Sequence, residues 1–204
     1  MTSYDPFIDD RAHIEALDRQ RFVVLRAPSK VGAAFTHIQR AFRERLQGRP
    51  VSYPARAHVT LCGFAAGTPL HSVQELVGTW APKASPLRIE IDRVSWFPPP
   101  FQIVIVEVRK TPALFSALAA LRAQAEQRRL VVSTVVPVEK WRFHMSVAYC
   151  SDFGEAAWQE VIQLAETLRA PTVHDDVGVV EVVAFDDGRE YSGGVYALDA
   201  HAHE

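Results

Sequence analysis

Arg56-Ala57-His58-Val59-Thr60-Leu61 and Arg142-Phe143-His144-Met145-Ser146-Val147 are the two stretches on which the fold turns. Each reads Arg-x-His-x-hydroxyl with apolar residues between. Strand side chains alternate sides, so Arg, His and Thr or Ser share one face. Val59 and Leu61, like Met145 and Val147, then point to the core. A polar row on one face of an otherwise apolar strand needs solvent or a ligand. Of the eight histidines, only these two are followed two residues later by Ser or Thr. Two matched strands are a much stronger signal than either alone.

Their surroundings match as well. Residues 22–25 read as a buried strand, followed by a helix over 29–46 with Ser29 as its expected cap and apolar residues at helical spacing. A strand over 57–64, a helix over 70–80 and a strand over 87–96 complete the first half. Pro98-Pro99-Pro100 can continue neither ladder nor helix and marks a turn or a lobe connection. Beyond it the order recurs: a strand over 101–108, a helix opened by Thr111-Pro112 and running to 130, a strand over 143–149 and a helix over 155–168. Two closing strands, 177–185 and 191–198, are joined by the turn Asp186-Asp187-Gly188-Arg189. The expectation is a single domain, 1–204, of two pseudo-symmetric lobes at about 22–97 and 101–199, with a ligand held between them.

With 48% hydrophobic and 23% charged residues, the chain can bury an ordinary core and is not a disordered one. A formal charge of -2 excludes a global basic field for long nucleic acid, while a local pocket can still hold an anion. The N-terminus has no signal-like apolar run, and no stretch approaches the roughly 18 apolar residues of a membrane span. Two cysteines, Cys62 and Cys150, are too few for a disulfide-stapled scaffold. A cytoplasmic monomer with reduced thiols and no membrane partner is expected.

The paired motifs suit one kind of chemistry. Cleaving a phosphodiester needs a base to activate water and an acid to protonate the leaving oxygen. Imidazole does both near neutral pH when two environments hold one ring neutral and the other protonated. The hydroxyls of Thr60 and Ser146 can donate to non-bridging phosphate oxygens, where charge accumulates. Nothing in this set requires a metal.

The duplicated His-x-Thr/Ser strands, roughly 80 to 90 residues apart in a repeated chain, resemble the 2H phosphoesterase superfamily, in particular its 2′-5′ RNA ligase-like members, which are RNA 2′,3′-cyclic phosphodiesterases. The resemblance implies an α+β, bilobal, pseudo-symmetric fold, two antiparallel-rich sheets flanking a central cleft with helices outside. It implies hydrolysis of a cyclic phosphodiester: a 2′,3′-cyclic phosphate on an RNA end or a small nucleotide, opened to the 2′-phosphate without cofactor or metal. His58 and His144 are then the catalytic pair, and Thr60 and Ser146 the phosphate-binding hydroxyls. By analogy His58 is the acid and His144 the base, a choice that the near symmetry of the residues themselves leaves open. The chain departs from many relatives in carrying Phe143, not Pro, before the second histidine. The paired Arg56 and Arg142 are not a general feature of the family.

Other readings stay beside this one. A non-catalytic module could use the same cleft to hold a nucleotide or RNA end. His58, Cys62, His144 and Cys150 could form a zinc site, with Cys62 on the same strand face as His58, although their spacing matches no zinc pattern. Arg56, Arg142 and Tyr149 are candidate substrate contacts. Tyr191, Trp96, Phe97, Phe101 and Trp141 are weaker candidates for base stacking, since aromatics at strand ends more often pack. His13, His37 and His71 read as surface or helix-face residues, and His174, His201 and His203 as loop or tail residues.

Overall fold

In chain order the elements are β1 (Ser3–Pro6), β2 (Arg21–Arg26), α1 (Ser29–Arg45), β3 (His58–Phe64), α2 (Leu70–Trp80), β4 (Leu87–Phe97), β5 (Ile103–Val108), α3 (Pro112–Gln127), β6 (His144–Tyr149), α4 (Glu155–Thr167), β7 (His174–Val177), β8 (Val179–Asp186) and β9 (Arg189–Ala197). This computed structural model describes residues 3–6, 15, 17–133, 136–186 and 189–199. The middle of the expected hairpin turn, at 187–188, and His13, His201 and His203 lie outside the described residues.

Local chemistry accounts for the helices. α1 buries Val31, Ala34, Phe35, Ile38 and Phe42 along one stripe and carries Arg43 and Arg45 in its last turn, where cations suit the helix dipole. Ser29 does not cap it. Pro28 occupies the cap position and Ser29 is already helical, so its hydroxyl is past the point where it could serve. α3 starts as expected, with Pro112 in its first turn and Thr111 Oγ1 accepting from Leu114 N at 3.2 Å. It stops short of residue 130 because Arg129 takes a left-handed conformation (φ 57°), while Leu130 N donates to Ala125 O.

Strand pairing is antiparallel, in the orders β1-β9-β8-β2-β3 and β6-β5-β4-β7. The α+β class with two antiparallel sheets is as expected, but the sheets do not follow the sequence halves. The Pro98–Pro100 segment is a turn within one sheet rather than a lobe connection, because β4 and β5 pair directly across it. The strand expected over 177–185 is Val179–Asp186, and a further short strand that was not expected precedes it. His174–Val177 pairs with β4, and Val179–Asp186 pairs with β2 in the other sheet, the chain crossing at Gly178. His174 is therefore a strand residue. The first half thus gives β4 to the second sheet, and the second half gives β8 and β9 to the first. Helices exchange as well: α1 packs on β4, β6 and β7, while α3 packs on β3. One continuous core results, from Val23 and Leu25 through Leu61 and Met145 to Trp158.

This exchange places the two histidine strands. β3 and β6 are the terminal strands of their sheets and lie against each other. Each has its far end covered by the loop that leads into the other. Ser52 bridges Tyr149, with N–O distances of 3.1 and 2.8 Å, and Val132 bridges Phe64 while Ser133 N donates to Gly63 O at 2.9 Å. Gly63 permits that approach, since a Cβ there would sit 2.5 Å from Ser133 Oγ and 2.9 Å from the Phe22 ring.

Candidate active site

Both histidine strands carry a β-bulge one residue after the hydroxyl. Val24 faces Thr60 but Val23 faces Cys62, leaving Leu61 as the extra residue; Ile105 faces Ser146 but Val104 faces Ala148, leaving Val147 extra. Up to the bulge the alternation is as expected, with Val59, Leu61, Met145 and Val147 fully buried. Past it the phase slips, so Cys62 joins the core beside Leu61 instead of sharing a face with His58. Gln39 Nε2 donates to the Val147 carbonyl (3.2 Å), so the bulge keeps its acceptor satisfied.

Ahead of the bulges, His58 and Thr60 share one face of β3 as His144 and Ser146 share one face of β6, and the two strands lie against each other, forming a seam between the sheets. The imidazoles are near enough that a charge on His144 disfavours one on His58. His144 Nδ1 lies 2.8 Å from the Arg142 carbonyl, which can only accept, so Nδ1 carries the proton and Nε2 is left for chemistry. The Arg56 backbone carbonyl favours the charged form of His58. A hydrogen bond links Ser146 to Tyr149, whose phenol is pushed up by burial and drawn back in part by that hydroxyl. Tyr149 also packs against Val24, Val183 and Phe185 of the opposite sheet.

The cross-strand partners of the two histidines are opposite in charge. Arg26 is the cross-strand partner of His58, and Glu107 that of His144. Arg26 is clamped by two buried carboxylates, Glu181 at 2.7 Å and Glu190. Burial, the Arg26 cation and His144 together push His58 down to about 3. His144 is also lowered, by burial first; the Arg142 carbonyl raises it, the Arg142 cation lowers it and the Glu107 carboxylate raises it. Glu107 is held by Arg142 through Nε at 3.1 Å and Nη2 at 3.0 Å, and by Arg93 at 2.9 Å. Arg142 further donates to Ser95 Oγ at 2.9 Å and the Trp96 carbonyl at 3.3 Å.

Of the candidate contacts, Tyr149 is thus in the seam, Arg142 forms its wall in a fixed network, and Arg56 stays exposed within electrostatic reach of Glu190. Arg26, Glu107, Glu181 and Glu190 escaped the sequence reading. A signal was there: 22–26 and 103–107 are both apolar runs closed by a single charged residue. Among the described residues no three His, Cys, Asp or Glu side chains gather as a metal group. Burial pushes both thiols up to about 12, which disfavours the thiolate a zinc ligand must be.

Two imidazoles and two hydroxyls facing across one seam are what acid–base chemistry at a phosphate requires. The family model of the 2′-5′ RNA ligase superfamily, whose members are 2H phosphoesterases, matches residues 27–189, and the chain belongs to that superfamily. Among solved structures it is similar to TT0787 of Thermus thermophilus, with a TM-score of 0.67 and 17% identity over 89% of this chain and 99% of that one. It is similar to LigT of E. coli complexed with 3′-AMP at a TM-score of 0.63 and 19% identity, over 88% and 98% of the two chains. Usb1 of Kluyveromyces marxianus superposes with a TM-score of 0.52 at 11% identity, over 90% and 99%. At such identities the likeness is one of fold. Comparison with curated proteins gives no match. Among the described residues no helix is long and apolar enough to cross a membrane.

Proposed function

We propose that this protein hydrolyses a cyclic phosphodiester, the 2′,3′-cyclic phosphate of an RNA end or a small nucleotide, to the 2′-phosphate. The observation that carries this reading is the meeting of His58 and His144, each with a hydroxyl two residues on, on bulged terminal strands of opposite sheets. The nucleotide 3′-AMP bound to the similarly folded LigT supports a nucleotide ligand.

Water attacks phosphorus, the P–O3′ bond breaks, and the 2′-oxygen keeps the phosphate. Local charge divides the labour. His58, held neutral beside Arg26, takes the proton of the attacking water. His144, lowered by burial and by the Arg142 cation but countered by Glu107, takes up a proton when the phosphate anion binds and delivers it to the leaving 3′-oxygen. This reverses the acid and base suggested by analogy. Thr60 and Ser146 donate to the non-bridging oxygens, and the bound phosphate anion raises both imidazoles towards their working range.

Hydrolysis of a panel of 2′,3′-cyclic nucleotides in EDTA tests the proposal. Wild type is expected to turn over, and His144→Ala to be slower by roughly 10² to 10⁴. A variant lacking both imidazoles that keeps the native rate sinks the mechanism. Nucleotide binding without any wild-type turnover replaces it with a nucleotide-holding module.

A further inference from the structure

Charge is unevenly spread along the chain. Residues 27–57 hold six lysines and arginines against one glutamate, a net +5 in a chain of net -2. Residues 109–143, the matching lead-in to the other histidine strand, are also net +5, and residues 144–204 carry -10. At physiological salt a charge is felt over only about 8 Å, so the acidic remainder does not cancel a basic surface elsewhere on the molecule. We propose that the outer surface of α1 and the loop over 46–57, centred on Arg40 and Arg43, is a docking track for the sugar-phosphate backbone of a single-stranded RNA whose end lies in the seam. It rests on the proposed function in placing a nucleotide end between the histidines.

Partners decide which of these cations are available. Arg21, Arg26, Arg88, Arg93, Arg109 and Arg142 are each tied to a carboxylate. Arg49 pairs with Glu160 at the edge of the track. Arg40 and Arg43 are exposed and, among the described residues, enter no ion pair, although Glu44 is one turn from Arg40. Arg43 is instead held by its face: its Cζ lies 4.1 Å from the centroid of the Tyr53 ring. That leaves open the in-plane N–H edge, the part that matches phosphate oxygens. The same device recurs in the other half, where Arg122 lies 5.1 Å from the Trp141 centroid. There, however, the guanidinium donates to the Val136 carbonyl. Packing accounts for both stacks; it does not account for why only one of them leaves its donors open.

The open arginines are continuous with the seam. Gln39, one residue before Arg40, donates to the Pro54 carbonyl at 3.1 Å and to the Val147 carbonyl at 3.2 Å, which ties the loop to α1 and to β6. Ser52, next to Tyr53, bridges Tyr149, which packs across the seam onto the opposite sheet. The loop then runs to Arg56, exposed and two residues before His58. Arg43, Tyr53, Ser52 and Tyr149 thus form an unbroken line from the helix surface to the seam. An acidic protein or an anionic membrane would be drawn to the arginines alone, whereas a chain with one end held between the histidines has this line as its way out. Contacts to phosphates carry no sequence information, so the track selects for length and not for bases.

Fluorescence anisotropy tests the track without turnover. The probe is a labelled single-stranded RNA of about eight nucleotides ending in a 2′-phosphate, with adenosine 2′-monophosphate as competitor. At about 50 mM salt, wild type is expected to hold the oligonucleotide roughly tenfold to a hundredfold more tightly than the mononucleotide. Arg40→Gln combined with Arg43→Gln should lose most of that preference while binding adenosine 2′-monophosphate as wild type does. Its plot of log affinity against log salt should be shallower by about 1.4, about 0.7 for each lost phosphate contact. Arg128→Gln combined with Arg129→Gln, the same loss of charge on the other basic segment, should leave preference and slope unchanged. No length preference in wild type, a preference that survives the first pair, or equal losses in both pairs overturns the track. So does sedimentation with phosphatidylserine vesicles that depends on Arg40 and Arg43 and is not displaced by the oligonucleotide, which would give the surface to a membrane. Length preference in a protein that hydrolyses no cyclic phosphate leaves the track standing and removes the hydrolytic reading; hydrolysis of cyclic mononucleotides without length preference does the reverse.

Discussion

The two half-sites share a backbone and differ in everything around it. Each offers a histidine, a hydroxyl and a bulge at the same step along a terminal strand. Around His58, however, lie Arg26 and two buried carboxylates, whereas His144 has Glu107, two arginines and a phenylalanine. In the proposed reaction the duplicated geometry would deliver two imidazoles to one phosphate. In that reaction the unshared neighbours would give those imidazoles separate tasks, since two rings in identical surroundings would compete for the same proton.

The sharpest way to break this comparison is to remove one arginine from each side. Arg26→Met should cost about 3 to 5 kcal/mol in urea unfolding, because it leaves Glu181 and Glu190 buried without their cation. Arg142→Met, on the more open side, should cost about 1 to 2 kcal/mol. Equal losses would mean that the two networks are energetically alike.

Acid stability gives a second, smaller contrast. His58 titrates at about 3 when folded, against about 6.5 in an unfolded chain. The unfolded state therefore takes the proton first, and stability is lost as pH falls from about 6.5 towards about 3, by about 1.4 kcal/mol per pH unit for one proton. Urea unfolding of wild type and His58→Gln between pH 7 and pH 5 should show the variant with the shallower slope. Identical slopes would show that His58 is not the depressed group.

The smallest effect sharpens the division of labour. Glu107→Gln removes a charge that raises His144. The basic limb of the pH profile of kcat/KM, where the acid loses its proton, should then move to lower pH by about one unit or less. A basic limb that stays in place would assign the acid to the other histidine.

Much of this was legible in the chain. The period-two alternation of 56–61 and 142–147 fixes which side chains face the seam, and it holds as far as the bulges. The bulges themselves were hidden, because Leu61 and Val147 are apolar whether the strand slips or not. Cys62 was misplaced for that reason. The exchange of β4, β8 and β9 was hidden too: pairing partners are chosen by turns and packing, and the strands of both halves look alike in composition. β7 reads His-Asp-Asp-Val, with no apolar alternation to announce a strand. Arg26 and Glu107 look like ordinary polar strand ends, and only the cross-strand register sets them beside the histidines.

The Arg26 clamp has a consequence for how the protein is made. Glu181 and Glu190 follow Arg26 by 155 and 164 residues, so a ribosome releases the cation long before either anion. Both histidines have emerged by then, but the sheet that buries the clamp lacks β8 and β9. Folding that proceeds from the N-terminus during translation therefore completes the second sheet first and the first sheet last. The Arg26 clamp beside His58 is then completed in a single late step, when the final hairpin zips onto β2.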